Sequence, residues 1–387
     1  MEKKLSSLLR THFSSFSATH PQRWAVHRWA HAVMQCRTAA LGGHVLRCPE
    51  GHMERVQYNS CKHRACPQCS ALGTEQWLEK TFEKLLLDCD YYHVIFTIPH
   101  QLNELWQWNR TWLGDQLLAA SRDTLLELLR DPKWLGATPG LVLSLHTWGR
   151  NLSIHPHVHV LVTGGGWMEA GWKGVRYDYL LPFQVVRALF RGKLLARVKQ
   201  GIEAKELLIP QGQSVSSLLN LVHQLGRRKW NVHVRTRYPH GRGVLTYLAR
   251  YVRGGPLKEG QLRSVSSEGV VFGHTDHRDG RWKRLALSMD AFLQRLAAHI
   301  PEPGYRMIRY AGIYAPGHRA RLASCRQDLG MAPMAEPDYL TAQVYLEGLG
   351  LKERTHCPVC GRRLIMDELS VDTGRSPPLL GTYAHAA

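Results

Sequence analysis

The chain has 387 residues, 44% of them hydrophobic, which suffices for two or three modules around a sizeable core and excludes a disordered polymer. Its 50 Lys and Arg outnumber 31 Asp and Glu, giving a formal charge of +19 spread along the chain, so a polyanion such as nucleic acid is the expected partner. No stretch approaches the roughly 18–20 continuous apolar residues of a membrane span.

The N-terminal MEKKLSSLLRTHFSSFSATH lacks the compact apolar core and small-residue cleavage site of a secretion signal. It reads as the first helix of a cytoplasmic protein. Helix is expected over 1–35, with Trp24, Val26, Trp29 and Val33 in apolar spacing. Residues 36–70 break the pattern and collect Cys36, Cys48, Cys61, Cys66 and Cys69 with His44, His52 and His63. Helical periodicity returns over 73–90, with Trp77, Phe82, Leu85 and Leu86 near one face. YYHVIFTIPH (91–100) is a strand of β-branched and aromatic residues stopped by Pro99, and a Leu- and Trp-rich helical segment follows to about Leu129.

GLVLSLHTWG (140–149) and HPHVHVLVTGG (155–165) read as two strands joined by a short, hairpin-like connection. Helices are expected around 183–208 and 214–225, and WNVHVRTRYPH (230–240) reads as a further strand. RGVLTYLARYVRGGP (242–256) is a helix stopped by Gly254, Gly255 and Pro256. VVFGH (270–274) and the segment around RWKRLALSM are short strands, MDAFLQRLAAHI (289–300) is a helix, and 352–387 is a small appendage. Apolar strands followed by Leu-rich helices imply an α+β fold with an antiparallel sheet.

Nine cysteines, mostly in tight local groups, favour metal binding over a disulfide scaffold at this length. Cys66-Pro-Gln-Cys69 is a knuckle whose two thiolates can turn onto one tetrahedral Zn²⁺. Cys48 with either His52 or Cys61 can complete the set, and a second ion involving Cys36, His44 or His63 stays open. A redox pair fits less well, because no strand precedes this CxxC. HCPVCGRR (356–363) supplies another CxxC, with Cys325 and His356 as its visible helpers for a partial zinc site.

Side chains at every second residue of a strand share a face, so His155, His157 and His159 project together at steps of roughly 6.6 Å. Neighbouring imidazoles at that spacing can bind one divalent ion, while Val158, Val160 and Val162 face the core behind them. Tyr247 and Tyr251, four apart on a helix, present phenols on one side with Cβ atoms about 5–6 Å apart. Taken alone, two such tyrosines are usually core or interface residues. Beside a metal-binding strand they acquire chemistry: phenols can attack a phosphodiester, an ion can polarise its oxygens, and Arg250 and Arg253 can hold the phosphate.

With these residues in view, the chain resembles the rolling-circle transposases of the insertion sequence 91 family, within the larger HUH (His-hydrophobe-His) endonuclease superfamily. The likeness runs through roughly residues 20–320 and rests on YNSCKHRACPQC, HVIFTIPHQLN, HTWGRNLSIHPHVHVLVTGGG and VLTYLARYVRGGP. It implies an N-terminal helical and zinc-binding DNA-recognition module over 1–90, an HUH-type catalytic domain over 91–320 and a C-terminal appendage over 321–387. It also implies His157 and His159 as the pair for catalytic Mg²⁺ or Mn²⁺, and Tyr247 and Tyr251 as the nucleophiles. The implied activity is cleavage and rejoining of single-stranded or hairpin-containing DNA ends through a 5′-phosphotyrosine link.

The sequence departs from the family pattern twice. Family members often carry a CxxC where this chain reads Cys48-Pro-Glu-Gly51-His52, so His52 is the candidate replacement for the missing cysteine. They often carry glutamine at the position of Arg150, and arginine cannot ligate a metal, which leaves His155, His146 or a residue elsewhere as third ligand. A plasmid replication initiator or relaxase-like nickase shares the chemistry. A histidine-triad hydrolase would need neither zinc nor tyrosines, and a non-catalytic zinc DNA-binding protein would leave the histidine strand idle.

Overall fold

In the computed structural model, described over residues 4–176, 179–235, 237–252, 255–276, 279–334 and 340–369, the boundaries follow proline, glycine and strand-forming runs; for 247–252, 368 and 369 the description is of backbone only. The expected first helix is two, α1 (Lys4–Thr19) and α2 (Trp24–Gln35). Pro21 causes the break: it has no amide to donate, and its ring disfavours helical backbone at His20. The cysteine-rich region contains a hairpin that its composition hid, β1 (Gly43–Arg47) and β2 (Glu54–Tyr58). Next come α3 (Ser70–Lys84), β3 (Tyr91–Thr97), α4 (Asn103–Trp108) and α5 (Arg110–Arg130).

The long hairpin β4 (Thr138–Trp148) and β5 (Ile154–Met168) follows, then β6 (Gly171–Gly174), α6 (Phe183–Glu203) and α7 (Val215–Gly226). Ser214 starts α7 with a capping box in which its hydroxyl accepts from the Ser217 amide. The rest of the chain forms β7 (Val232–Val234), α8 (Gly241–Val252), β8 (Leu262–Val265), β9 (Val270–Thr275), β10 (Trp282–Leu287) and α9 (Met289–Ala297). It ends with β11 (Ile308–Gly312), α10 (Arg319–Asp328), α11 (Ala342–Gly348) and β12 (Ile365–Leu369).

The result is the expected α+β arrangement with antiparallel pairing. The main sheet runs β11-β4-β5-β3-β7, with β6 on β5, and two three-stranded sheets are ordered β12-β1-β2 and β10-β9-β8. Residue alternation makes the main sheet two-faced. Even residues of β3 and β5 (Val94, Phe96, Val158, Val160, Val162) and odd residues of β4 (Leu141, Leu143, Leu145) join Phe190, Leu194 and Leu218 of α6 and α7 in the main core. On the opposite face Val142, Leu161 and Tyr91 pack with Val244 and Leu245 of α8 and Leu78 of α3. A separate core ties the N-terminus to residues 257–300: Leu5, Leu9, Phe16 and Trp29 bury against Phe272 and Phe292.

Candidate active site and metal centres

Registration of the β4–β5 hairpin decides which histidines meet. Ser144 lies opposite His159 and His146 opposite His157, so even residues of β4 share a face with odd residues of β5. His146, His157 and His159 therefore form one cluster, in which one ring nitrogen from each lies within 4.8 Å of the other two. Their ring centroids are 5.2 Å (His146–His157), 4.3 Å (His146–His159) and 4.8 Å (His157–His159) apart.

Each ring is oriented through its other nitrogen. His157 Nδ1 sits 2.6 Å from the His155 carbonyl oxygen and donates to it, leaving Nε2 with its lone pair. His159 Nδ1 lies 2.7 Å from Nε2 of His93, whose ring stacks on it from the adjacent strand β3. His146 Nε2 lies 3.0 Å from the Ser144 hydroxyl. Such outer partners fix tautomer and direction in metal-binding imidazoles. Burial holds His157 and His93 down at about 4, and lowers His146 and His159 well below the usual imidazole range. All four are thus neutral at neutral pH, the form that ligates a metal.

The sequence expectation set His155 beside His157 and His159, with His146 or a residue elsewhere as the alternative third ligand. The hairpin brings His146 to them instead, while the exposed His155 side chain stays outside the cluster and contributes its carbonyl. His155 stands beside His157, with ring centroids 4.9 Å apart, but a further step along the strand from His159, whereas His146 lies across from His157 and reaches both rings. Arg150, at the family's glutamine position, is exposed and donates to the Thr275 carbonyl at 3.3 Å.

The backbone of α8 crosses this same face. Its start, Gly241, lies against the Tyr91 ring, and Tyr91 is registered with Thr163 at the far end of β5. Its middle is buried on Val142 and Leu161, beside the histidines, and Gly255 beyond its end has φ of +65° and abuts the Ala65 backbone. Positive φ and that close approach suit glycine alone. Tyr247, Arg250 and Tyr251 lie on α8, where backbone alone is described, and Arg253 lies outside the described residues.

The four cysteines and one histidine expected at structural zinc divide between two clusters. Cys61, Cys66 and Cys69 join Cys36, whereas Cys48 and His52 join Cys357 and Cys360. In the first, sulfur separations are 3.1 Å (Cys36–Cys69), 3.6 Å (Cys61–Cys69) and 3.8 Å (Cys36–Cys66). A tetrahedron with Zn–S near 2.3 Å has edges of about 3.8 Å, so the four sulfurs fit structural zinc. Without an ion the four thiols share protons: hydrogen bonds among them lower Cys36, led by that from Cys61, to about 7 and lower Cys69, while they raise Cys61 and Cys66. Sequence reasoning offered Cys36 to a second ion rather than to the knuckle, because the residues of the β1–β2 hairpin stand between them in the chain; Cys36 is the C-cap of α2. Cys325, suggested as a helper to the C-terminal CxxC, is instead buried with Tyr91 and Tyr314 on the α8 side of the main sheet.

A cleft of about 1380 Å³ runs from the Cys61 loop past α3 to the β11 edge. Arg28, Lys62, Lys80, Lys84, Arg306 and Arg319 line it with Trp77 and Tyr310, and among the described residues no carboxylate lines it. Among the described residues, no helix is long and apolar enough to cross a membrane.

Comparison with known proteins finds two family models on successive parts of the chain. A family model described as "Transposase zinc-binding domain" matches residues 8–98, and one described as "Putative transposase" matches 140–321. "Putative transposase y4qJ" of Sinorhizobium fredii (strain NBRC 101917 / NGR234) is 31% identical over 97% of both chains. "Transposase for insertion sequence element IS801" of Pseudomonas savastanoi pv. phaseolicola is 31% identical over 86% of this chain and 81% of its own. No solved structure matches. With zinc-binding and transposase models on successive parts of the sequence and relatives of that kind along nearly all of it, the chain belongs to the insertion sequence 91 family of transposases.

Proposed function

We propose that the protein cleaves and rejoins single-stranded DNA at insertion-sequence ends, in rolling-circle fashion, with Tyr247 and Tyr251 as nucleophiles. The observation that carries this reading is the shared face: the helix bearing both tyrosines runs over the strand whose histidines form the neutral, outwardly braced cluster. His146, His157 and His159 would hold the divalent ion, which when bound polarises a phosphate oxygen. An all-imidazole set with no carboxylate suits Mn²⁺ better than the harder Mg²⁺.

The chain's own groups do the rest. A tyrosine oxygen forms a bond to phosphorus and releases its proton, the P–O3′ bond breaks, and the leaving 3′ oxygen takes up a proton. The 5′-phosphotyrosine retains the energy of the phosphodiester, so rejoining requires no nucleotide cofactor. Arg250 and Arg253 are assigned to the phosphate oxygens by charge and position in sequence. The basic, aromatic cleft is the path for the unpaired strand, with Lys80, Lys84 and Arg319 on phosphates and Trp77 available to stack a base.

The test incubates the protein with labelled single-stranded element ends and Mn²⁺, followed by a denaturing gel. A slow-migrating covalent adduct is expected, absent from the Tyr247→Phe, Tyr251→Phe double variant. Adduct formation by that double variant, or none by the wild type across end sequences and metals, would overturn the reading.

A further inference from the structure

We propose that Cys48, His52, Cys357 and Cys360 hold a second zinc ion, separate from the Cys36, Cys61, Cys66 and Cys69 centre, which fastens the C-terminal segment onto the N-terminal hairpin. Neither family model reaches the two C-terminal ligands, since they end at residues 98 and 321. The inference is independent of the nicking chemistry.

The donor geometry is tetrahedral in scale. Cys48 Sγ lies 3.5 Å from His52 Nδ1 and 3.5 Å from Cys360 Sγ, and the four donor atoms all fall within 4.8 Å of one another. With Zn–S near 2.3 Å and Zn–N near 2.0 Å, a Cys₃His site has edges of roughly 3.5–3.8 Å. A Cys48–Cys360 disulfide would instead need sulfurs about 2.05 Å apart.

The main chain around these donors is built as two knuckles. The Gly361 amide donates to the Cys357 carbonyl and the Gly51 amide to the Cys48 carbonyl, each at 2.9 Å, which closes a tight turn at each pair of ligands. Gly361 at φ +70° and Gly51 at φ +75° make the tight turns beside Cys360 and His52.

A third observation explains why an ion is needed. β12 pairs with β1 in a full antiparallel register, Arg47 opposite Ile365 through Gly43 opposite Leu369, and Arg55 donates to the Glu353 carbonyl at 3.3 Å. Yet the core beneath this sheet consists of Leu46, Cys48, Cys357 and Leu364, with Met53 and Cys360 at its margin. So small a core cannot offset the entropy of ordering a remote chain segment, and metal ligation is the usual remedy at that size. Ile365 and Met366 remain exposed, so apolar burial does not hold β12 in place.

The experiment measures zinc content of the full-length protein and the visible spectrum of its Co²⁺ form. Cys357→Ser, Cys360→Ser is expected to lose one zinc per chain relative to wild type, and Cys36→Ser a different one. His52→Cys is expected to keep the zinc count while shifting one Co²⁺ site from an S₃N to an S₄ spectrum, a readout that survives if the serine variants fold poorly. Mild chelation should expose Lys352 and Arg354 to trypsin in the wild type at least tenfold faster. An unchanged zinc count in the folded Cys357→Ser, Cys360→Ser variant, an unshifted His52→Cys spectrum, or a Cys48–Cys360 disulfide would each overturn the proposal.

Discussion

The two faces of the main sheet are made by the same strands and could hardly differ more in what they do. Behind β5, Val158, Val160 and Val162 are fully buried among α5, α6 and α7, where each contributes by displacing water. In front, one residue out of step, His157 and His159 meet His146 and His93, and burial there serves to keep imidazoles neutral and aimed. A one-residue slip in register would exchange the two sets, so core packing fixes the site's geometry.

That contrast can be broken from either side. The largest effect is expected from His157→Ala, His159→Ala: metal-dependent adduct formation should fall by about a thousandfold or more, while far-UV circular dichroism stays that of the wild type. Loss of fold in that variant would mean the front face is structural. Phe96→Ala, on the back of β3, should do the reverse. It should cost about 3–5 kcal/mol in denaturant unfolding, with cleavage per folded molecule retained.

His93→Ala sharpens the comparison, because His93 acts through His159 as a positioning residue. Metal affinity, read by calorimetry, should weaken about 10–100-fold, and His93→Gln, which can still accept from His159, should recover part of it. A smaller effect is expected from pH. His93 and His157 are held at about 4 by burial against about 6.5 when unfolded. His299, which contacts the Leu152 carbonyl and the Thr147 hydroxyl, is likewise held at about 4. The unfolded chain therefore binds the extra protons first: stability of the metal-free protein is full above pH 6.5 and declines as pH falls toward 4. A melting temperature flat between pH 7 and 5 would contradict this.

Much of this was legible in the residues because the relevant signals are local. Alternating β-branched and aromatic residues marked β3, β4 and β5, and helical spacing with a Gly-Gly-Pro stop marked α8. What escaped depends on pairing across distance. His146, one of the alternatives the sequence left open, could be set beside His157 and His159 only once β4 was registered on β5, and the cysteines could be sorted only once β12 lay on β1. The proline at 21 was a local signal too, but an apolar rhythm running past it favoured one helix over two.

The edge of β1 that receives β12 has a consequence during synthesis. Cys48 and Cys360 are 312 positions apart, so at about 5–20 residues per second the ribosome needs roughly 15–60 s to deliver the missing strand. Through that interval the nascent β1–β2 hairpin presents an unpaired backbone edge, and a message cut short before the codons for residues 365–369 would yield a polypeptide whose N-terminal sheet never closes.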